Sequence, residues 1–222
     1  MTITNNHEFY VLDTVFQNKH KEIFDFFNNQ GVDVEINQDF AGLKTILTSK
    51  DKDDYPYGFD AAFELKLDNA KAFVLYLKIE NEVVATYAAQ KMSMSSFIDA
   101  MKGYFPGTYE DVSDILGTSA YSSCQWVSKD HRGKKLGRVL DHLKKHICFD
   151  LMKCTNNYAI HKEALTDYHT EHLGYSNSER LALIPNGDVG GAGEVIDKIY
   201  NITYTTISEW EAKQSDIKAL YS

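Results

Sequence analysis

Cysteine is scarce in this 222-residue chain, and the three present, Cys124, Cys148 and Cys154, are an odd set without the close pairing of a metal site or a disulfide framework. They read as free, buried thiols, and Cys124, within an apolar strand, as structural and not nucleophilic. No long uncharged apolar segment occurs and the amino terminus carries no secretion signal, so the expectation is a cytoplasmic protein with no membrane partner. Basic residues are outnumbered, 23 against 32 acids, and the net charge of -9 opposes general nucleic-acid binding while leaving room for one local basic site. A Walker phosphate loop is missing, since its glycine spacing and Gly-Lys-Ser/Thr ending do not occur. Nor do the histidines form a zinc-hydrolase motif. His142 and His146 sit four apart on a predicted helix with no third ligand of suitable spacing, and their side of it is expected to face solvent, so no metal is expected. His161, His169 and His172 likewise form no metal motif.

Tyrosine and phenylalanine, by contrast, number 14 and 12, which favours sheet surfaces or a lined cleft over a helical bundle. With 43% hydrophobic residues the chain can build one substantial core, so a single domain over 1–222 is expected, with a helical insertion at about 91–119. The most informative stretch is Cys124 to Ile147, CQWVSKDHRGKKLGRVLDHLKKHI. It opens as a strand, breaks at Ser128-Lys129-Asp130, passes through a basic loop, and continues as a helix with Leu136, Val139, Leu140, Leu143 and Ile147 in one apolar stripe. Lys134, Lys135, Arg138, Lys144 and Lys145 fall largely outside that stripe and read as its charged surface. Gly133 can take backbone geometry that a side chain would hinder, and Gly137 is expected to let a ligand approach the first helical turn. The amides of that turn lack intrahelical partners and point outward, so a phosphate there would gain hydrogen bonds and a favourable dipole. Arg132, Lys134 and Lys135 crowd positive charge at the same end, where cations are disfavoured unless an anion compensates them. That conflict points to a phosphate ligand.

The run Val127 to Gly137, followed by Leu140 and Leu143, resembles the acetyl-coenzyme A signature of the GCN5-related N-acetyltransferase superfamily. The resemblance implies an α/β fold with a mixed, mostly antiparallel central sheet flanked by helices, the acyl-coenzyme A N-acyltransferase fold. It implies further that Arg132, Gly133, Lys134, Lys135, Leu136 and Gly137, with Arg138 next to them, hold the pyrophosphate, while the strand ending in Trp126 and Val127 runs alongside the pantetheine arm. The family usually has glycine where Lys135 stands, so the backbone there either avoids unusual dihedrals or accepts lysine in them.

Upstream, Phe9 to Leu12 reads as a first strand. Residues 14–29 read as one helix with Val15, Ile23, Phe24, Phe26 and Phe27 on its packed side, and Val32, Val34 and Ile36 as another extended piece. Residues 49–60 read as a loop. Ala72 to Ile79 and Val83 to Ala89 pair across Glu80-Asn81-Glu82 as a hairpin, a feature the superfamily also has just before its cofactor strand. Ser93 to Phe105 is helical by spacing and stops at Pro106-Gly107, and Tyr109 to Leu116 is a short helical or irregular piece. Later, Met152 to Ile160 is extended and Glu163 to Leu173 forms a short helix before Gly174-Tyr175, matching the superfamily's later strand, helix and Leu-Gly-aromatic ending. Leu181 to Ile184 and Ile202 to Ile207 supply the last strands. The glycine-rich run 187–193 reads as a connection between strands, because too little chain follows to build a dinucleotide unit.

The activity implied by the resemblance is direct transfer of an acetyl group from acetyl-coenzyme A, a cosubstrate, to a primary amine on a small molecule or peptide. A backbone amide near Trp126 or Val127 would stabilise the oxyanion. The family's tyrosine, which protonates the leaving thiolate, has two registers here. Tyr168 follows Ala164 by the usual four residues, whereas counting four back from Gly174 selects Thr170. No base is identified, with a water chain to Glu110 as one candidate. Asp99, Glu110, Asp111 and Asp114 favour a cationic acceptor. The rival reading is a noncatalytic acyl-coenzyme A sensor or interaction module, and a homodimer is left open as the assembly.

Overall fold

A computed structural model describes residues 1–50, 71–104, 107–112, 117–184, 198–218 and 221. The glycine-rich run 187–193, nearly all of the loop expected at 49–60, and residues 105–106 and 113–116 lie outside the described residues.

The centre of the fold is a hairpin of β3 (Ala72–Ile79) and β4 (Glu82–Lys91), whose turn residues Glu80 and Asn81 both have positive φ, 49° and 69°. That geometry matches the right-handed twist of the strands it joins. Around it a nine-stranded sheet runs β1-β2-β3-β4-β6-β7-β9-β8-β5, with β1 at Ile3–Asn5, β2 at Asp33–Asn37, β5 at Thr108–Tyr109, β6 at Ser119–Val127, β7 at Asn156–Lys162, β8 at Asn177–Ile184 and β9 at Lys198–Thr206. Among the described residues only β1 with β2 and β6 with β7 are parallel, so the sheet is mixed and mostly antiparallel, as expected.

Both faces are covered, which is why β3 is apolar at consecutive positions and not only at alternate ones. Phe73, Leu75 and Leu77 meet α1 (Thr14–Lys19), α2 (Lys21–Asn29) and α5 (Leu136–His146) on one face. Val74 and Tyr76 meet α3 (Phe40–Lys50) on the other. Farther along that second face, Met94, Phe97, Ile98 and Met101 of α4 (Met94–Tyr104) pack on Tyr121, Tyr158, Leu181 and Ile202. The chain closes with α6 (Ile207–Ala212), started by a capping box at Thr206 and Glu209, and α7 (Gln214–Lys218). Among the described residues, no helix is long and apolar enough to cross a membrane.

Several sequence expectations are corrected. Phe9 to Leu12 is not a strand; Ile3–Asn5 takes the edge beside β2 instead. Tyr10 and Leu12 are buried while Phe9 and Val11 are exposed, and this alternation imitates a strand. The segment is held by side chains, with the Leu12 amide donating to Asn5 Oδ1 at 2.8 Å and the Tyr10 amide to His7 Nδ1 at 3.0 Å. The helix expected at 14–29 breaks at His20, and Val15 is exposed. Tyr109 is paired in β5, not helical.

The largest correction concerns α5. Lys144, Lys145 and His142, expected on a solvated face, are fully buried, and His146 is half-buried. The sheet, the Leu173–Tyr175 segment and the carboxy-terminal elements enclose the helix, so its charges are tolerated only because they are paired. Lys145 Nζ binds the Asp141 carboxylate and donates to the Leu173 carbonyl at 2.7 Å. Lys144 Nζ lies 3.0 Å from Asp141 Oδ1 and donates to Asn157 Oδ1 at 2.7 Å and to the Tyr175 hydroxyl at 3.1 Å. His142 Nδ1 meets the Tyr221 hydroxyl at 2.9 Å. The three thiols are free and buried, as the sequence suggested.

Candidate functional site

β6 and β7 pair only from Ser119 to Ser122 against Asn156 to Ala159. Beyond that point β6 stays with β4 as far as Val127, and β7 stays with β9 as far as Lys162. The two strands therefore part, and the backbones of Ser123–Val127 and Ile160–Lys162 border a gap in the sheet. A bulge lies at the point of parting. Cys124 has φ +59°, and the register against β4 shifts between Thr86 and Ala88. Because of the extra residue, Ala120 and Val127 face α5 although they are seven apart, while Cys124 and Trp126 pack on the opposite face. No glycine at Ser122-Ser123-Cys124 announces this bulge in the sequence. Trp126 buries its side chain with Tyr76 and Phe40, so only its backbone is available toward the gap.

The basic loop leads from this strand to the start of α5. One tight helical turn at Lys129–His131 is followed by Gly133 at φ +79° and Lys135 at φ +62°. Lysine thus accepts the left-handed geometry, at a cost of about 1 kcal/mol. Arg132, Gly133, Lys134 and Lys135 are exposed, whereas Leu136 sends its side chain into the core and leaves only its backbone for a ligand. A Cβ at Gly137 would come within 2.9 Å of Val127 Cγ2 and 3.4 Å of Gln125 Nε2, so the missing side chain lets strand β6 approach the helix start. Gln125, unremarked in the sequence, donates from Nε2 to the Gly137 carbonyl at 2.8 Å and ties strand to helix. Arg132 Nε donates back to the Val127 carbonyl at 3.1 Å. Arg138 points away from the loop, its guanidinium meeting the His172 carbonyl at 2.9 Å and His172 Nδ1 at 2.6 Å.

The expected helix at 163–173 is two short pieces, a tight turn at Glu163–Leu165 and a wide turn at Tyr168–His172 closed by the Leu173 amide donating to the Tyr168 carbonyl at 3.2 Å. A wide turn holds one residue more than an α-helical turn. It absorbs part of the two-residue conflict between the registers that select Tyr168 and Thr170. The Thr170 hydroxyl donates to the Thr166 carbonyl at 3.1 Å and is occupied within its own turn. Tyr168 is 38% exposed and interacts with the Gln125 side chain, which brings it to the strand that borders the gap. Partial burial raises its pKa above the ordinary tyrosine value, so its phenol stays protonated.

His161, on β7 just past the parting, is a residue the sequence gave no reason to single out. Its Nδ1 lies 2.9 Å from the Lys162 carbonyl, an arrangement that puts the proton on Nδ1 and the lone pair on Nε2. Nε2 is buried and has no partner among the described residues. Desolvation holds the imidazole neutral by lowering its pKa, and the ring stacks on His169 at 3.9 Å. Glu110 is poorly placed as a base. It follows edge strand β5, pairs with Arg180 at 2.9 Å, and β5 is three strands from β7, roughly 14 Å across the sheet. Asp99 and Asp111 are exposed, and Asp114 lies outside the described residues.

No protein-family model matches the sequence, and no curated protein sequence matches it. Among solved structures, the spermidine/spermine N-acetyltransferase SpeG from Vibrio cholerae superposes with a TM-score of 0.50, covering 83% of this chain and 98% of that one at 10% identity. An acetyltransferase from Streptococcus agalactiae reaches 0.46, covering 80% and 99% at 15% identity. The coenzyme A-dependent acyl-homoserine lactone synthase BjaI reaches 0.45, covering 68% and 67% at 17% identity.

Proposed function

We propose that this chain, which has the fold of the GCN5-related N-acetyltransferases, transfers an acetyl group from acetyl-coenzyme A directly to a primary amine on a small molecule or peptide. The observation that carries this reading is the parting of β6 from β7 next to a basic loop that enters α5 through two left-handed residues, Gly133 and Lys135. The exposed loop from Arg132 to Lys135 offers amides and positive charge to the pyrophosphate, and the amides of Leu136, Gly137 and Arg138 complete the first helical turn. The Arg138 side chain, held by the His172 carbonyl and Nδ1, bridges α5 and the wide turn. The pantetheine arm lies in the gap, along the backbone of Trp126 and Val127.

The acceptor nitrogen attacks the thioester carbonyl carbon and forms the new C–N bond, a strand amide at the bulge stabilises the oxyanion, and the C–S bond then breaks. Tyr168 donates its phenolic proton to the departing thiolate. His161 takes the proton that the amine loses through its free Nε2. No covalent enzyme intermediate is required, in keeping with the buried Cys124 thiol.

The test is release of coenzyme A thiol from acetyl-coenzyme A in the presence of matched amines and alcohols. Transfer to amines in preference to alcohols of the same size is the expected outcome. Equal or preferential transfer to alcohols contradicts the acceptor class, and cofactor binding without transfer to any amine favours the noncatalytic sensor.

A further inference from the structure

The far end of α5 carries a second group of chemically able side chains. It is ten residues past Leu136, about 15 Å along the helix axis, and the proposed transfer uses none of it. His20 stands at the break between α1 and α2, His146 ends α5, and Asp150 lies four residues later on the widened turn Ile147–Leu151. Each offers one donor atom, and these three atoms all lie within 4.8 Å of one another. His20 Nε2 meets Asp150 Oδ2 at 2.7 Å, and Lys19 Nζ meets Asp150 Oδ1 at 2.7 Å. The two imidazoles face each other, with centroids 3.9 Å apart and planes 31° apart. Among the described residues, neither ring nitrogen of His146 has a hydrogen-bond partner. A cavity of about 230 Å³ opens beside the group, lined in part by Phe149, Ile207, Trp210 and Tyr221.

We propose that His20, His146 and Asp150 bind one divalent metal ion of the zinc class. Two imidazoles and one carboxylate are the donor set of borderline transition metals, whereas magnesium and calcium take oxygen ligands. Bonds of about 2.0 to 2.2 Å to a tetrahedral ion would leave donors roughly 3.4 Å apart, so the present spacing needs only side-chain adjustment. Asp150 exchanges its hydrogen bond with His20 for the metal and keeps Lys19, which orients it as an outer partner. The cavity gives the ion a route in and leaves its fourth position to water. The ligands come from both sides of the break at His20 and from the end of α5, so the ion clasps the amino-terminal helices to the helix that carries the basic loop.

The experiment titrates zinc chloride calorimetrically into the full chain after chelator dialysis, and repeats the titration and the thermal melt on His146→Gln and Asp150→Asn. Saturable binding of one ion per chain, a higher melting temperature with zinc, and at least a tenfold loss of affinity in either variant are expected. Absence of saturable binding overturns the proposal. Binding that persists unchanged in the variants does so too, because it places the ion on other histidines. If His146→Gln does not fold, the nearly isosteric Asp150→Asn decides the outcome alone.

Discussion

Lys135 occupies backbone space that favours glycine, with φ at +62°. Lys135→Gly should relieve that strain, stabilising the fold by about 1 kcal/mol and raising the melting temperature by roughly 2 to 4 °C. A lower melting temperature would mean that contacts of the lysine outweigh the strain. Tyr168→Phe keeps the ring and removes the hydroxyl proposed as the acid. With cofactor affinity unchanged, turnover should fall on the order of 10²-fold. Unchanged turnover under chemistry-limited conditions would reject the role and move the test to Thr170→Val, although the Thr170 hydroxyl is already engaged by Thr166. His161→Gln should lower turnover similarly, and with the wild type's neutral imidazole the basic form of His161 should persist to below its ordinary value of 6.5. An enzyme whose rate does not respond to His161→Gln at any pH would remove this residue from the mechanism.

At the scale of elements, α5 shows where local pattern stops being informative. Its apolar stripe was legible, and Leu136, Val139, Leu140, Leu143 and Ile147 all enter the core. Asp141 and Lys145 have the four-residue spacing of an ordinary surface ion pair, and nothing in that spacing differs when the pair is buried. Burial is decided by Leu173, Tyr175 and Asn157, which arrive from later in the chain. The same holds for His20 and Asp150, brought together across 130 residues. The hairpin at Glu80-Asn81 and the basic loop were readable because turns and helix starts are specified locally, whereas the bulge at Cys124 is imposed by pairing with β4.

Asp141→Ala would strand two buried ammonium groups and should cost about 3 to 5 kcal/mol, enough to lower the melting temperature by roughly 10 °C or prevent folding. A change of under 1 kcal/mol would contradict the buried network. Burial alone would raise the Asp141 pKa, but Lys144 and Lys145 hold it well below the usual carboxylate range. Its contribution is therefore fully present above the unfolded value of about 4 and is lost as pH falls below that value. Acid melts of the wild type should show this loss, and a variant lacking Asp141 that still folds should show less of it.

For the whole molecule, the sheet order places the proposed cofactor strand β6 and its diverging neighbour β7 at the centre, between the β3–β4 hairpin and β9. The architecture was legible from the order of a hairpin, a basic loop before an amphipathic helix, and the Leu173-Gly174-Tyr175 ending. The amino-terminal edge was not, because Phe9 to Leu12 alternates in burial without joining the sheet. Distance across the sheet also decides against Glu110 as a base, a matter on which linear sequence is silent. The Arg132–Gly137 loop is proposed to bind acetyl-coenzyme A. Isothermal titration of acetyl-coenzyme A at fixed salt, into the wild type and into Arg132→Glu with a matching thermal melt, tests it most directly. One site per chain is expected, with an affinity at least about tenfold weaker in the variant, which corresponds to about 1.4 kcal/mol. No binding to the wild type, or equal affinity in the folded variant, would contradict it.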